Sequence, residues 1–195
     1  MSGMVSAPTR RAGLRDVRSR RRSNSYAVAL VLLAAALALV GFQQSFIAVE
    51  ARATAWFVQL FTVGHAHSAG PVFFIGIGSG DVHGFEITPL CSTSVLLTPI
   101  LVLGGILQLF PRYRSVDTLR ALAIGAPIAI AANLARYALV TFAYQAWGPT
   151  GFDVMHHYIG SILVILCTAG AIVLMLVIAT RGSLRRRKPG RHGVG

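Results

Sequence analysis

The arginines constrain the architecture most. Three strongly basic segments are separated by long apolar runs, and few folds other than a polytopic membrane protein accept that layout. The N-terminal tail holds Arg10, Arg11, Arg15, Arg18, Arg20, Arg21 and Arg22. The loop PRYRSVDTLR holds Arg112, Arg114 and Arg120, and the C-terminal tail holds Arg181, Arg185, Arg186, Arg187, Lys188 and Arg191. Between them the chain is apolar: 54% of its 195 residues are hydrophobic, and only 6 are acidic. A formal charge of +12 spread evenly would suggest nucleic acid. Gathered at the ends of apolar runs, it reads as anchors facing an anionic inner leaflet, with no nucleic-acid partner.

A hydrocarbon core needs about twenty apolar residues of helix. Runs near residues 26–47, 92–110, 119–147 and 156–180 qualify. The expected fold is an all-α polytopic membrane protein with about four transmembrane helices. Basic cytoplasmic tails would lie at 1–25 and 181–195, and an external segment at 48–90. An even number of spans puts all three basic segments on one side, the cytoplasm; the two other loops hold only Arg52. The first run exceeds a signal-peptide core, and no small-x-small site follows it.

The external segment reads in two parts. ATAWFVQLFTV is amphipathic and too short to span, so Trp56, Phe57, Leu60 and Phe61 lie in the outer interface or re-enter the membrane. GPVFFIGIGSGDVHGFEITPLC carries β-branched and aromatic residues broken by Gly-Ser-Gly-Asp, the pattern of a small hairpin. GIGSGDVHG is not a phosphate loop, because no suitable helix follows it.

With that topology, Cys91 opens the second span on the outer side and His156 opens the fourth. Arg136 lies inside the third span, about 16 Å from its outer end at 1.5 Å per residue, and its long side chain reaches outward. An intramembrane arginine costs a few kcal/mol unless it faces a cavity or an anionic partner, and no acidic residue within the spans neutralises it. It is therefore expected to serve a charge brought by substrate, thiolate or oxyanion. Cys91 follows Pro89 and precedes Ser92 and Thr93, a plausible helix start; a helix N-terminus and a nearby guanidinium both favour a thiolate. Asp153 is expected to cap a helix with His156 in its first turn, keeping the imidazole neutral for general-base work. Cys167, midway down the fourth span, reads as a structural thiol too far in depth for a disulfide with Cys91.

These motifs resemble the exosortase/archaeosortase family. The residues that carry the resemblance are Cys91 in PLCSTS, Asn133 and Arg136 in ANLARYALV, and His156 with Gly160 in HHYIG, over roughly residues 70–180. The resemblance implies a membrane-embedded cysteine transpeptidase without metal or other cofactor. Cys91 would be the nucleophile, Arg136 the thiolate or oxyanion stabiliser, and His156 the general acid/base; Asn133, His157 and Gly160 would support them. Its partners would be exported proteins with a C-terminal motif, a hydrophobic span and a basic tail, together with membrane lipids. Family members usually carry C-S-G after an acidic-Ala pair; here Pro89-Leu90 precede Cys91 and Ser92-Thr93 follow it, which leaves the substrate motif open. Many members have about eight spans, so this is a compact form, and its arginine and alanine content suits an actinobacterium. On the residues alone two other classes stay open: a non-enzymatic permease or assembly subunit, and a metal-dependent hydrolase using His65, His67, His83, His156 and His157, whose His-x-His and His-His pairs define no third ligand.

Overall fold

The computed structural model describes residues 9–184. The C-terminal tail from residue 185 onward, with its basic cluster, lies outside the described residues. Helix α1 runs Thr9–Gly41, so it begins inside the stretch read as a tail. Its apolar half is Ala, Leu and Val without glycine or proline until Gly41, a composition that sustains helix. At Phe42 the backbone leaves helical values (φ −104°, ψ 23°) and α2 follows at Gln43–Val58. The run read as 26–47 is thus divided, and its last residues start a second helix. Ile47, Ala51, Ala55 and Val58 bury one face of α2 at helical spacing, while Trp56 stays exposed.

Above this helix lies a three-stranded antiparallel sheet: β1 (His65–Ala69), β2 (Val72–Ile77) and β3 (His83–Glu86), in the order β1-β2-β3. The expected hairpin is β2–β3, with Phe73 opposite Phe85. Strand β1 was not expected, since HAHSA has no β-branched residue. It pairs with β2 across a tight turn that opens at Gly70 (φ 58°), a conformation that glycine adopts without strain. The inner face, Phe73, Ile75, Phe85 and Ile87, packs with α2 and Tyr137 into a small core.

The rest is a helical bundle. A 3₁₀ turn at Pro89–Cys91 leads into α3 (Thr93–Leu109), which Ser92 caps by accepting the Ser94 N–H. Helix α4 spans Ser115–Asp153 and breaks at Gly148 (φ 63°, ψ −150°), just before Pro149. A π-helical turn, Val154–Ile159, and α5, Gly160–Leu184, complete the chain. Glycines mark the antiparallel contacts: Gly104 meets Leu32 and Leu122, Gly125 meets Ala171, and Gly160 meets Arg136. Small residues let helices approach this closely where water supplies no driving force. Leu32, Ile100, Leu107, Leu122 and Met175 form the shared core.

Two helical stretches are long and apolar enough to cross a membrane by length and composition: Arg22–Gly41 and Ser115–Arg181. The second contains both arms folded back at Gly148. Helix α3 is apolar but shorter, at 17 residues. The described chain is mostly helical with a small sheet, and the sheet and the α3 N-terminus lie at the same end of the bundle.

Candidate active site

The turn at Pro89–Cys91 fixes Cys91 through its main chain. Its N–H donates to Thr88 O at 3.0 Å. Its carbonyl accepts the Tyr137 hydroxyl at 2.6 Å and the Asn133 amide at 3.0 Å, both from α4. With the backbone clamped, the thiol is aimed. Sγ lies 3.4 Å from Arg136 Nη2 and 4.0 Å from His156 Nε2. The structure therefore brings together residues from the start of α3, the middle of α4 and the turn before α5.

Arg136 is only 6% exposed. Among the described residues no carboxylate lies within ion-pair distance of it, and its Nε is buried without a hydrogen-bond partner. Gly160 makes room for it: a Cβ there would sit 2.9 Å from Arg136 Cγ and 2.7 Å from the Met155 carbonyl. That spacing gives the glycine of HHYIG a physical reason.

His156 is held differently from the expectation. Asp153 is itself helical (φ −61°, ψ −46°) and makes no side-chain cap bond, so it does not start a helix with His156 in its first turn. The reversal occurs earlier, where Gly148 and Pro149 permit it. His156 sits instead in the π-helical turn, a widened turn that re-aims side chains. Its ring stacks on Phe152 at 5.0 Å and 8° and meets His157 edge-on at 5.1 Å. His157 is exposed; its Nδ1 lies 3.2 Å from the Asp153 carbonyl, and its side chain lines a cavity beside Arg136.

Sequence reasoning missed Glu50. From α2 its carboxylate accepts Ser92 Oγ at 2.7 Å, Thr93 N at 2.9 Å, Asn133 Nδ2 at 2.9 Å and the Thr93 hydroxyl. These are charge-assisted bonds, stronger than neutral ones. They also change the electrostatics of the thiol. The positive end of α3 is spent on Glu50, so the local cation for Cys91 is Arg136 and not the helix terminus. Tyr137 was missed too. The available signals were weak: an acid three residues past an apolar run, and a tyrosine one residue from the arginine.

Two cavities meet at the thiol. One of about 340 Å³ is lined by Gly84, Phe85, Glu86, Thr88, Tyr144 and Phe152, among others, and by Cys91 and His156. The other, about 350 Å³, is lined by Leu90, Leu96, Val164 and Ile165 with Arg136, and again by Cys91 and His156. Cys91 and His156 form the partition between a wall of strand edge and aromatics and an apolar wall against α5.

His65, His67 and His83 do not contact the thiol. His65 and His67 are on β1, and His83 contacts Asp81 (3.0 Å) and Tyr144 (3.1 Å). Among the described residues no three His, Cys, Asp or Glu side chains gather as a metal site. Cys167 is a free thiol on α5. No curated protein and no solved structure matches the chain. The family model described as Transmembrane exosortase (Exosortase_EpsH) matches it over residues 12–176.

Proposed function

The chain belongs to the transmembrane exosortase family, and from that premise we propose that it is a protein-sorting cysteine transpeptidase acting on C-terminal sorting signals of exported proteins. The observation that carries this reading is the Cys91 thiol held between Arg136 Nη2 at 3.4 Å and His156 Nε2 at 4.0 Å. Cys91 passes its proton to His156 Nε2, and the resulting thiolate attacks the scissile carbonyl carbon. The resulting oxyanion is stabilised by the Arg136 guanidinium, whose Nη2 lies 3.4 Å from the thiol sulfur. His156 protonates the leaving amine as the carbon–nitrogen bond breaks, which leaves a thioester on Cys91. It then takes a proton from the acceptor nucleophile, which attacks the thioester and frees the thiol.

The reading includes a topology. Helix α1, α3 and the two arms of α4–α5 cross the cell membrane as four spans. Both termini are cytoplasmic, and the sheet and thiol lie at the outer face. A substrate anchored by its own hydrophobic span reaches the thiol laterally. Reporter fusions after residues 70 and 150 are expected to read as external; a cytoplasmic signal at either position removes the shared outer face.

The test of the chemistry is a gel shift of a tagged exported protein with a motif, span and basic tail, in cells making each variant at matched levels. Cys91→Ala, His156→Ala and Arg136→Lys each abolish processing, the last because a point charge does not reproduce the guanidinium fork. His157→Ala processes normally. Processing by Cys91→Ala would exclude a thioester and end the transpeptidase reading.

A further inference from the structure

Strand β3 is an edge of the sheet, and its hydrogen-bonding phase can be worked out. Ile87 N–H donates to Pro71 O at 2.9 Å, which continues the register that pairs Phe85 with Phe73 and His83 with Ile75. In an antiparallel ladder alternate residues turn both main-chain groups toward the neighbouring strand. Ile87, Phe85 and His83 therefore face β2. Gly84, Glu86 and Thr88 face away, and these three residues line the cavity that ends at Cys91 and His156. The Thr88 carbonyl is taken by Cys91 N–H. The Gly84 and Glu86 N–H and C=O groups and the Thr88 N–H form a ladder at strand spacing that runs toward the thiol.

We propose that this edge is the substrate-docking strand: an extended polypeptide segment adds beside β3 as a fourth strand, parallel to it, and presents its scissile carbonyl to Cys91. The proposal rests on the transpeptidase reading above. Only an extended main chain matches donors and acceptors that repeat every second residue, and edge strands recruit such chains. The direction follows from the substrate. Its hydrophobic span lies C-terminal to its motif, so it descends from the outer face toward the membrane, as β3 does on its way to α3. In a parallel ladder one substrate residue would donate its N–H to Gly84 O and accept from Glu86 N–H. The residue two further on would donate to Glu86 O and accept from Thr88 N–H. Beyond the thiol, the cavity walled by Leu90, Leu96, Val164 and Ile165 receives the first apolar residues of the span. Docking by main chain leaves side-chain identity to the aromatic wall of Phe85, Tyr144 and Phe152.

The experiment uses the full-length protein in detergent micelles and three peptide reagents. One is acetyl-Val-Ala-Val-Ala chloromethyl ketone; the others are the same peptide N-methylated at both Val or at both Ala residues. In each, the Cys91 thiolate displaces chloride from the methylene carbon and forms a thioether, read by mass spectrometry of the Cys91 peptide. Iodoacetamide, which alkylates the thiol without docking, is the reference. Only one phase of a docked strand points its N–H groups at β3. One methylated isomer is therefore expected to react about twenty-fivefold slower than the parent, the size of two net hydrogen bonds, and the other to keep the parent rate. Glu86→Pro removes one outward N–H and leaves the ladder to β2 intact. It is expected to slow the parent peptide about fivefold, the size of one net hydrogen bond, with iodoacetamide unchanged. Equal rates for all three peptides, or equal slowing of both isomers, overturn the docking strand, and they do so on the native protein even where the proline variant fails to fold. If iodoacetamide itself leaves Cys91 unmodified, the reactive-thiol reading falls first and the docking strand with it.

Discussion

The polar seam above α3 and the apolar core below it are held by different physics. In the core, Ile100 and Met175 are 0% exposed and pack in a cluster of apolar side chains. In the seam, Asn133 is also 0% exposed, yet its Nδ2 donates to Glu50, Cys91 and Thr93, while its Oδ1 is buried without a partner. The core depends on volume, so a missing methylene is a local loss. The seam depends on pairing, so one missing partner leaves several buried groups unmatched. The thiol is attached to the seam and not to the core, and its aim therefore depends on residues that never touch it.

The largest expected effect comes from Glu50→Ala, which leaves Ser92, Thr93 and Asn133 without their shared acceptor. Each buried donor left unmatched in this way costs about 1–3 kcal/mol, so the loss over these donors is at least about 3 kcal/mol. At about 2–4 °C of melting temperature per kcal/mol for a chain of this size, a thermal melt in micelles is expected to fall by at least about 6 °C. A fall no larger than that of a surface variant would mean that the seam is not held by Glu50.

Next is a pair of glycines on one helix. Gly160→Ala pushes a methyl against Arg136 Cγ and the Met155 carbonyl, whereas a Cβ at Gly170 meets nothing within 4 Å. Processing is expected to drop about 100-fold in Gly160→Ala, the effect of displacing a catalytic group by about an ångström. Gly170→Ala is expected to process normally and to be slightly more stable, through helix propensity. Similar activity in the two variants would remove Arg136 positioning as the reason for Gly160.

The smallest effect sharpens the contrast from the core side. Ile100→Val removes one buried methylene and is expected to cost about 1 kcal/mol of stability. Processing per folded molecule is expected to be unchanged, as measured by gel shift normalised to a folded-protein signal. A loss of specific activity larger than the loss of stability would show that the core and the seam are coupled.

The sequence makes parts of this picture legible and hides others for identifiable reasons. Apolar runs and arginine placement restrict depth, so Cys91, Arg136 and His156 could be assigned to one layer before any contact was known. The glycine of HHYIG could be picked out as a motif position, but its purpose lies in a contact with a residue 24 positions earlier on another helix. Glu50 was hidden because α1 breaks at Phe42, which turns α2 across the top of the bundle; nothing local marks that break except Gly41. Strand β1 was hidden because its pairing is imposed by β2 and not by its own residues. Asp153 looked like a cap because aspartate usually is one before a helix, but the Gly148-Pro149 break had already restarted the helix.

A thioester on Cys91 is tested most directly by capture of the acyl-enzyme. Purified protein is mixed with a tagged substrate bearing the motif, span and basic tail, quenched in acid during turnover, and mapped by mass spectrometry. Substrate mass is expected on the Cys91 peptide, lost on treatment with neutral hydroxylamine as a thioester is, and absent in Cys91→Ala. Substrate turnover with Cys91 unmodified throughout, or acylation at Cys167 instead, would contradict it.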